Sequence, residues 1–191
     1  MLTSYNIALF LHVSGAMGFF VSTSLWLLGL AALRRAQRVE QARTMLTLIG
    51  RAGPVSGISL LLILVTGFYM TLTAWRTQNG WIGMALVSLV LMIPLGAGII
   101  EPRRRALTRL ANETPDGPLP AALEQRAHDS LLGIALSLQT ALLLGIVFLM
   151  TIKPPSFVGS GIVVVIALAL GTAVGALFLG RMRARTQQQN I

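Results

Sequence analysis

Five long apolar segments, separated by segments that contain charged residues, dominate the pattern of hydrophobic and polar positions along the chain. Each segment lacks Lys, Arg, Asp and Glu entirely, and together they are residues 1–33, 52–75, 77–100, 130–152 and 154–180. A helix needs about 20 apolar residues to cross a bilayer core, so each segment is long enough for one crossing. The pattern therefore predicts five transmembrane helices, at about 5–33, 54–75, 81–100, 130–152 and 158–180.

The order of these segments predicts the organisation of the chain. We expect an all-α fold, a polytopic membrane helix bundle that forms a single domain over residues 1–185, followed by a disordered tail at 186–191. Two longer connections, 34–53 and 101–129, lie between the helices. The second contains ANETPDGPLP, whose Asn, Asp, Gly and Pro content is typical of a flexible loop.

Local signals inside these segments predict further detail. The 34–53 connection carries apolar residues at the spacing of an amphipathic helix, which predicts a helix lying on the membrane surface. These residues are Val39, Ala42, Met45, Leu46 and Ile49. Pro54 is expected to begin the second transmembrane helix, since proline suits the first turn. Pro94 predicts a kink in the third helix.

Composition and charge support a membrane location and predict an orientation. Only 11% of the residues are charged and 54% are hydrophobic, whereas soluble domains carry about 25% charged residues. Of the 15 Lys and Arg residues, all except Arg76 and Lys153 lie in the two long connections or after the fifth helix. This asymmetry predicts an outer N-terminus and a cytoplasmic C-terminus. We expect the basic clusters to contact anionic lipid, and not nucleic acid.

The residues that carry chemistry in enzymes are largely missing from the sequence. There is no cysteine, so disulfides, thiolate metal sites and cysteine nucleophiles are excluded within the chain. The sequence also has no serine–histidine–acid set, no metalloprotease motif and no phosphate-binding loop. These absences argue against an enzyme, and no catalytic residue is assigned.

Small residues recur at four-residue spacing along three of the predicted helices. They are Ser14, Gly18 and Ser22 in the first, Gly133, Ser137, Ala141 and Gly145 in the fourth, and Gly171 and Gly175 in the fifth. In lipid, helices associate through close van der Waals contact, which such seams allow. The seams are expected to serve packing inside the bundle, with a homodimer as the alternative.

One histidine, His12, lies inside a predicted crossing, in the sequence LHVSGAMGFF. It is about 10 Å below the outer boundary, whereas His128 lies at the inner boundary across a core of about 30 Å. One haem iron held by both histidines of a chain is therefore excluded. A haem bound by His12 with a methionine, or by two His12 residues across a dimer, remains an alternative. The simpler expectation is a partner on a helix that approaches closely at Ser14 and Gly18.

Methionines near the outer boundary suggest a metal site with His12. Met70, Met84 and Met150 fall within about 6 Å of that boundary on three different helices, and Met17 is deeper on the first. Thioether and imidazole ligands suit Cu(I). Methionine is also an ordinary filler of gaps in a core, and packing is the alternative for all four.

Uncharged polar residues are the remaining candidates within the membrane depth. They are Gln139 and Thr140 in the fourth helix, Thr66 in the second and Ser88 in the third. Each can line a path for a solute or make a hydrogen bond between helices.

Three stretches of the sequence carry a resemblance to a known group of proteins. They are FLHVSGAMGFF, RAGPVSGISLLLILVTGFYM and GWIGMALVSLVLMIPLGAGIIEPRRRAL. The chain resembles an uncharacterised bacterial multi-pass family with a Leu-His-x-x-Gly-Ala first helix, distantly similar to copper-resistance-protein-D-like membrane proteins. The resemblance implies a bacterial inner membrane protein, and among implied site residues only His12 maps onto this sequence.

Three classes of function follow from these observations. The leading one is non-enzymatic binding or passage of a small solute or metal ion. The sequence has one intramembrane histidine and several methionines near the outer boundary, and it has no set of catalytic residues. A haem b-binding electron carrier that uses His12 is the second. A structural or assembly partner in a membrane complex, acting through the small-residue seams, is the third. We expect no cofactor, with copper and haem as the alternatives.

Overall fold

The computed structural model describes the backbone of residues 3–75 and 79–189 and the side chains of 3–74 and 79–177. This part of the chain forms seven α-helices and no strand. The helices are α1 (Ser4–Leu33), α2 (Val39–Met70), α3 (Gly80–Ile93), α4 (Glu101–Glu113), α5 (Ala121–Ala127), α6 (Ser130–Ile152) and α7 (Phe157–Gln189). The predicted tail at 186–191 falls partly within α7, and residues 190–191 lie outside the described residues.

Five helical stretches of the described chain are long and apolar enough to cross a membrane. They are Ser4–Leu33, Val39–Ala74, Gly80–Glu113, Ala121–Ile152 and Phe157–Leu177. Their outer faces leave large apolar side chains uncovered, among them Phe10 at 68%, Leu28 at 70% and Val158 at 73% exposure. Such a surface is stable against hydrocarbon and not against water. The predicted all-α bundle with five transmembrane helices is confirmed.

Helix α2 differs from its prediction, because it begins at Val39 and runs without a break through Pro54. The apolar face of 34–53 packs inside the bundle: Ala42, Leu46 and Ile49 are almost completely buried in a core shared with α1, α4, α5 and α6. A proline inside a helix costs about 3 kcal/mol. Burial of this face outweighs that cost, and the helix continues.

The third crossing departs from regular α-helix at Pro94, where the sequence predicted a kink. At Pro94 the chain leaves the α-helical pattern and forms a π-helix over Pro94–Ile100. It then continues as α4, so that the predicted loop at 101–129 begins with 13 helical residues. A π-helix has a wider turn than an α-helix and often lies at a functional site.

The loop that follows α4 is held in place by Arg43 of α2. Its guanidinium donates to the carbonyl oxygens of Ala111 at 3.0 Å and Thr114 at 2.7 Å, and to the Asp116 carboxylate at 2.6 Å. The segment predicted to be flexible is therefore tied to α2. We call this side of the bundle, with the C-terminus of α1 and the N-termini of α2 and α6, the arginine-rich end.

Close helix contacts pair α1 with α2 and α6 with α7, and α3 packs against α6 and α7. Small residues lie at both main contacts. A methyl group added at Gly18 would collide with Ser59 Oγ, and the Ser22 hydroxyl donates to the Ala52 carbonyl at 2.8 Å. A methyl group at Gly171 would lie 2.8 Å from Leu138 Cα.

The other seam residues have varied surroundings. Gly175 lies against Ile134, and Gly145 against Ala167. Ala141 faces Gly171, whereas Gly133 faces Arg34. Ser14 and Ser137 are half-buried.

Candidate functional site

A cleft of about 560 Å³ lies between α1, α2, α6 and the π-helical segment. Its inner walls are mainly apolar and include Phe19, Trp26, Leu60, Leu89 and Met92. Gly53 and Pro54 of α2 face Gly96 and Ala97 of the π-helix across it. We refer to this space as the central cleft.

The amide side chain of Gln139 lines the central cleft from α6. The residue is only 9% exposed, and its Oε1 is buried without a hydrogen-bond partner among the described residues. This oxygen lies near Gly96, where an added methyl group would be 3.8 Å away. A polar group without a partner is costly in an apolar environment. A side chain that lines the cleft therefore carries an acceptor without a partner among the described residues.

The other three uncharged polar candidates, Thr66, Ser88 and Thr140, each donate to a carbonyl of their own helix. Thr66 donates to the Leu62 carbonyl, and Ser88 donates to the carbonyl four residues earlier at 2.9 Å. Thr140 does the same with Leu136 at 2.8 Å. A hydroxyl reaches this carbonyl easily, whereas a glutamine amide does not, so Gln139 depends on a partner from another element.

Charged groups close the arginine-rich end of the central cleft. Glu101 and Arg104 line it there. The Glu101 carboxylate accepts from Arg104 at 2.6 Å and from Arg105 at 2.7 Å. One carboxylate between two guanidinium groups leaves a net positive charge at this opening.

His12 lies outside the cleft, on the opposite half of the α1–α2 pair. Its Nδ1 is 3.1 Å from the Ile63 carbonyl and 3.2 Å from Thr66 Oγ1. Because a carbonyl only accepts, Nδ1 carries the proton and Nε2 keeps its lone pair. The ring also rests on Gly67, where an added methyl group would be 3.0 Å from Cε1. The neighbouring helix that was expected to supply a partner for His12 is therefore α2.

The methionines predicted to share a metal site with His12 are distributed over different surroundings. Met17 is 66% exposed on the outside of α1, whereas Met70 is buried on α2. Met84 and Met150 pack against the same buried cluster, which includes Trp81. Within the described part of the chain, no three His, Cys, Asp or Glu side chains form a group that could hold a metal ion.

His128 lies at the arginine-rich end, far along the bundle from His12. It caps α5, and its Nδ1 is 2.9 Å from the Glu124 carbonyl oxygen. This hydrogen bond is to the backbone and not to the Glu124 carboxylate.

Five helices long and apolar enough to cross a membrane define a polytopic integral membrane protein. The chain belongs to the family described as "Predicted integral membrane protein (DUF2269)", which matches residues 6–154. This match includes every residue named in the central cleft, α1 from Asn6 onward and all of α2 to α6. No curated protein matches the chain, and no solved structure matches it either.

Proposed function

We propose that this protein is a non-enzymatic membrane protein that binds or passes a small amphipathic solute through the central cleft. The proposal rests on one observation above all: the side chain of Gln139 lines the cleft, and its buried Oε1 has no hydrogen-bond partner among the described residues. A solute with a hydroxyl or amide donor would satisfy this oxygen, and its apolar part would pack on the walls.

The walls and the opening narrow the chemistry of the solute. Trp26 and Met92 offer apolar and polarizable surface, which favours a hydrocarbon or ring system. The net positive charge of Arg104 and Arg105 with Glu101 favours a polar or anionic group at the arginine-rich opening. We therefore expect a molecule with one apolar body, one internal donor and no positive charge.

Analysis of co-purified small molecules tests this function without assuming an identity. Wild type, Gln139→Leu and Thr140→Val are purified in parallel, extracted with organic solvent and compared by liquid chromatography and mass spectrometry. Thr140 is the matched control, since it lies at the same depth and bonds its own helix. We expect one molecule shared by wild type and Thr140→Val, and about tenfold less in Gln139→Leu.

Two results would contradict the proposed function. One is a wild-type protein that carries no small molecule apart from bulk lipid and detergent. The other is an equal amount of the shared molecule in wild type and Gln139→Leu, which would remove Gln139 from its binding.

A role for His12 as a haem or Cu(I) ligand is the second candidate, favoured by its tautomer. Metal-bound histidines use the same arrangement, with one ring nitrogen donating to a carbonyl and the other facing the metal. Met70 lies one turn beyond Thr66 and Gly67 on α2, so it is the methionine best placed to act with His12. Met17 is exposed on the outside of α1, and Met84 and Met150 pack against the cluster that includes Trp81.

An absorption spectrum and a metal analysis of the purified protein test this candidate. A haem would give a Soret band that His12→Ala removes and His128→Ala keeps. Copper would give a metal content that falls in His12→Ala and in Met70→Leu. A wild-type protein with no Soret band and no copper above that of His12→Ala rules the candidate out.

A further inference from the structure

A second apolar depression, separate from the central cleft, runs along the outside of the bundle between α1, α6 and α7. It has a volume of about 770 Å³, and we call it the lateral groove. Leu28, Leu144, Ile166 and Leu170 line it and are each more than half exposed. The groove therefore opens toward the lipid, and hydrocarbon is the medium that fills it.

One charged side chain, Arg34, lies in the lateral groove, at its arginine-rich end. Its Nε donates to the Ala127 carbonyl at 3.0 Å, which fixes the guanidinium at the top of the groove. Its Nη2 is buried beside Gly133 and has no hydrogen-bond partner in the described residues. An added methyl group at Gly133 would lie 3.1 Å from this nitrogen, so the glycine makes room for the guanidinium.

The nearest carboxylate, Asp129, is committed to other groups. Its Oδ2 accepts from Arg103 Nε at 2.7 Å, and its Oδ1 accepts from the backbone N–H of Leu131 at 2.9 Å. Burial lowers the pKa of Arg34, and the negative charge of Asp129 acts in the opposite direction. One carboxylate thus faces two arginines, and the charge of Arg34 has no ion-pair partner of its own in the described chain.

We propose that the lateral groove binds an anionic glycerophospholipid, with its phosphate at Arg34 and an acyl chain along α6. The groove extends along α6 from Gly133 to Phe148, which is about 22 Å at 1.5 Å per residue. Half of a bilayer core is about 15 Å, so the groove is long enough for an acyl chain of one leaflet. The lipid gives Arg34 an anionic partner and covers the exposed apolar walls.

Charge complementarity favours a lipid over a second copy of this chain. The protein has 15 Lys and Arg but only six Asp and Glu. Five of the six acidic residues already form ion pairs within the described chain. A second copy therefore has little negative charge to offer Arg34, whereas an anionic headgroup supplies it directly.

Native mass spectrometry with defined lipids tests the proposal. The protein is loaded with an equimolar mixture of phosphatidylglycerol and phosphatidylcholine that have identical acyl chains. For wild type we expect phosphatidylglycerol to dominate the first bound lipid. Arg34→Gln should lower that preference about fivefold, as expected for the loss of one cation at a lipid headgroup.

Two further variants keep the test decisive. Arg35→Gln removes the same charge one residue away, at an exposed position outside the groove, and should keep the preference. Leu144→Trp fills the groove while leaving Arg34 in place, and should lower binding of the first lipid of either kind. The second variant is informative even if Arg34→Gln does not fold.

Three results would overturn the proposal. The first is a wild-type protein with no preference for phosphatidylglycerol. The second is an equal loss of preference in Arg34→Gln and Arg35→Gln, which would indicate attraction to the whole basic surface. The third is a dimer whose formation Leu144→Trp prevents and whose groove holds no lipid.

Discussion

At the scale of single residues, Gln139 differs from its polar neighbours in where its side chain finds a hydrogen-bond partner. The sequence identified Gln139, Thr140, Thr66 and Ser88 as equivalent candidates. The three hydroxyls donate to carbonyls of their own helices, whereas the glutamine oxygen has no partner among the described residues and its side chain lines a cleft. That distinction depends on the position of the π-helix across the cleft, which no local sequence signal determines.

Replacement of Gln139 by leucine should stabilise the lipid-extracted, solute-free protein. Removal of a buried group without a partner recovers a desolvation cost of about 1–3 kcal/mol. Thermal unfolding in detergent, followed by circular dichroism, measures the change. A variant that unfolds at a lower temperature than wild type would mean that Gln139 has a structural partner, and would contradict its role as a binding group.

For His12, the sequence predicted that a neighbouring helix supplies the hydrogen-bond partner, but it did not predict which atoms do so. A close approach of another helix was expected from the small residues beside it, and the structure identifies the Ile63 carbonyl and Thr66 of α2. Those atoms can be identified only when the rotation of α1 relative to α2 is known, and the sequence does not determine that rotation. Its metal-binding role stays a prediction.

Substitution of Gly67 by alanine should destabilise the contact between His12 and α2. The added methyl group would lie 3.0 Å from Cε1 and 3.3 Å from Nδ1, so the ring must move from its hydrogen bonds. We expect a loss of about 1–3 kcal/mol in the free energy of unfolding. Gly57→Ala is the matched control on the same helix, because nothing lies within 4 Å of the added group. Equal stability of the two variants would contradict the account.

At the scale of elements, the length of a helix depends on which of its residues other helices bury. Local helix propensity does not contain that information. Pro54 and the amphipathic spacing of apolar residues in 34–53 predicted a separate surface helix, yet α2 is continuous, and its Ala42, Leu46 and Ile49 are buried in the core shared with α1 and α4. Helix α6 begins at Ser130, and the side chain of the preceding Asp129 caps it. Local chemistry is therefore sufficient to explain where this helix begins.

The contact between α6 and α7 gives a prediction at this scale. A methyl group at Gly171 would lie 2.8 Å from Leu138 Cα and 3.1 Å from Ala141 Cβ. Neither atom can move away unless the backbone of α6 moves with it. Gly171→Ala should therefore separate the two helices and cost about 1–3 kcal/mol. Chemical unfolding in mixed micelles measures it, again beside Gly57→Ala. A neutral effect would show that α7 packs elsewhere.

At the scale of the whole molecule, charge-free intervals were sufficient to predict five crossings and an all-α bundle. The length of a membrane helix follows directly from the thickness of the bilayer, so this part of the fold needs no tertiary information. The central cleft and the lateral groove arise between helices, and their existence depends on crossing geometry. For this reason, the sequence supplied candidate residues but not the site that contains Gln139.

The arginine asymmetry leads to a prediction about orientation in the cell. We expect the arginine-rich end to face the cytoplasm of a bacterial inner membrane, with the turn between α6 and α7 outside. The chain has no cysteine, so single cysteines report cleanly. A membrane-impermeant thiol reagent should label Ser156→Cys in intact cells and leave exposed Asn112→Cys unlabelled until the cells are broken. The reverse labelling would invert the orientation.

Solute binding in the central cleft is tested most directly by native mass spectrometry of the purified protein. Wild type and Thr140→Val should each show a species heavier than the polypeptide by the mass of one small molecule. Gln139→Leu should show about tenfold less of this species, with the same fold by circular dichroism. A wild-type spectrum with no such species, or the same added mass on Gln139→Leu, would contradict the account.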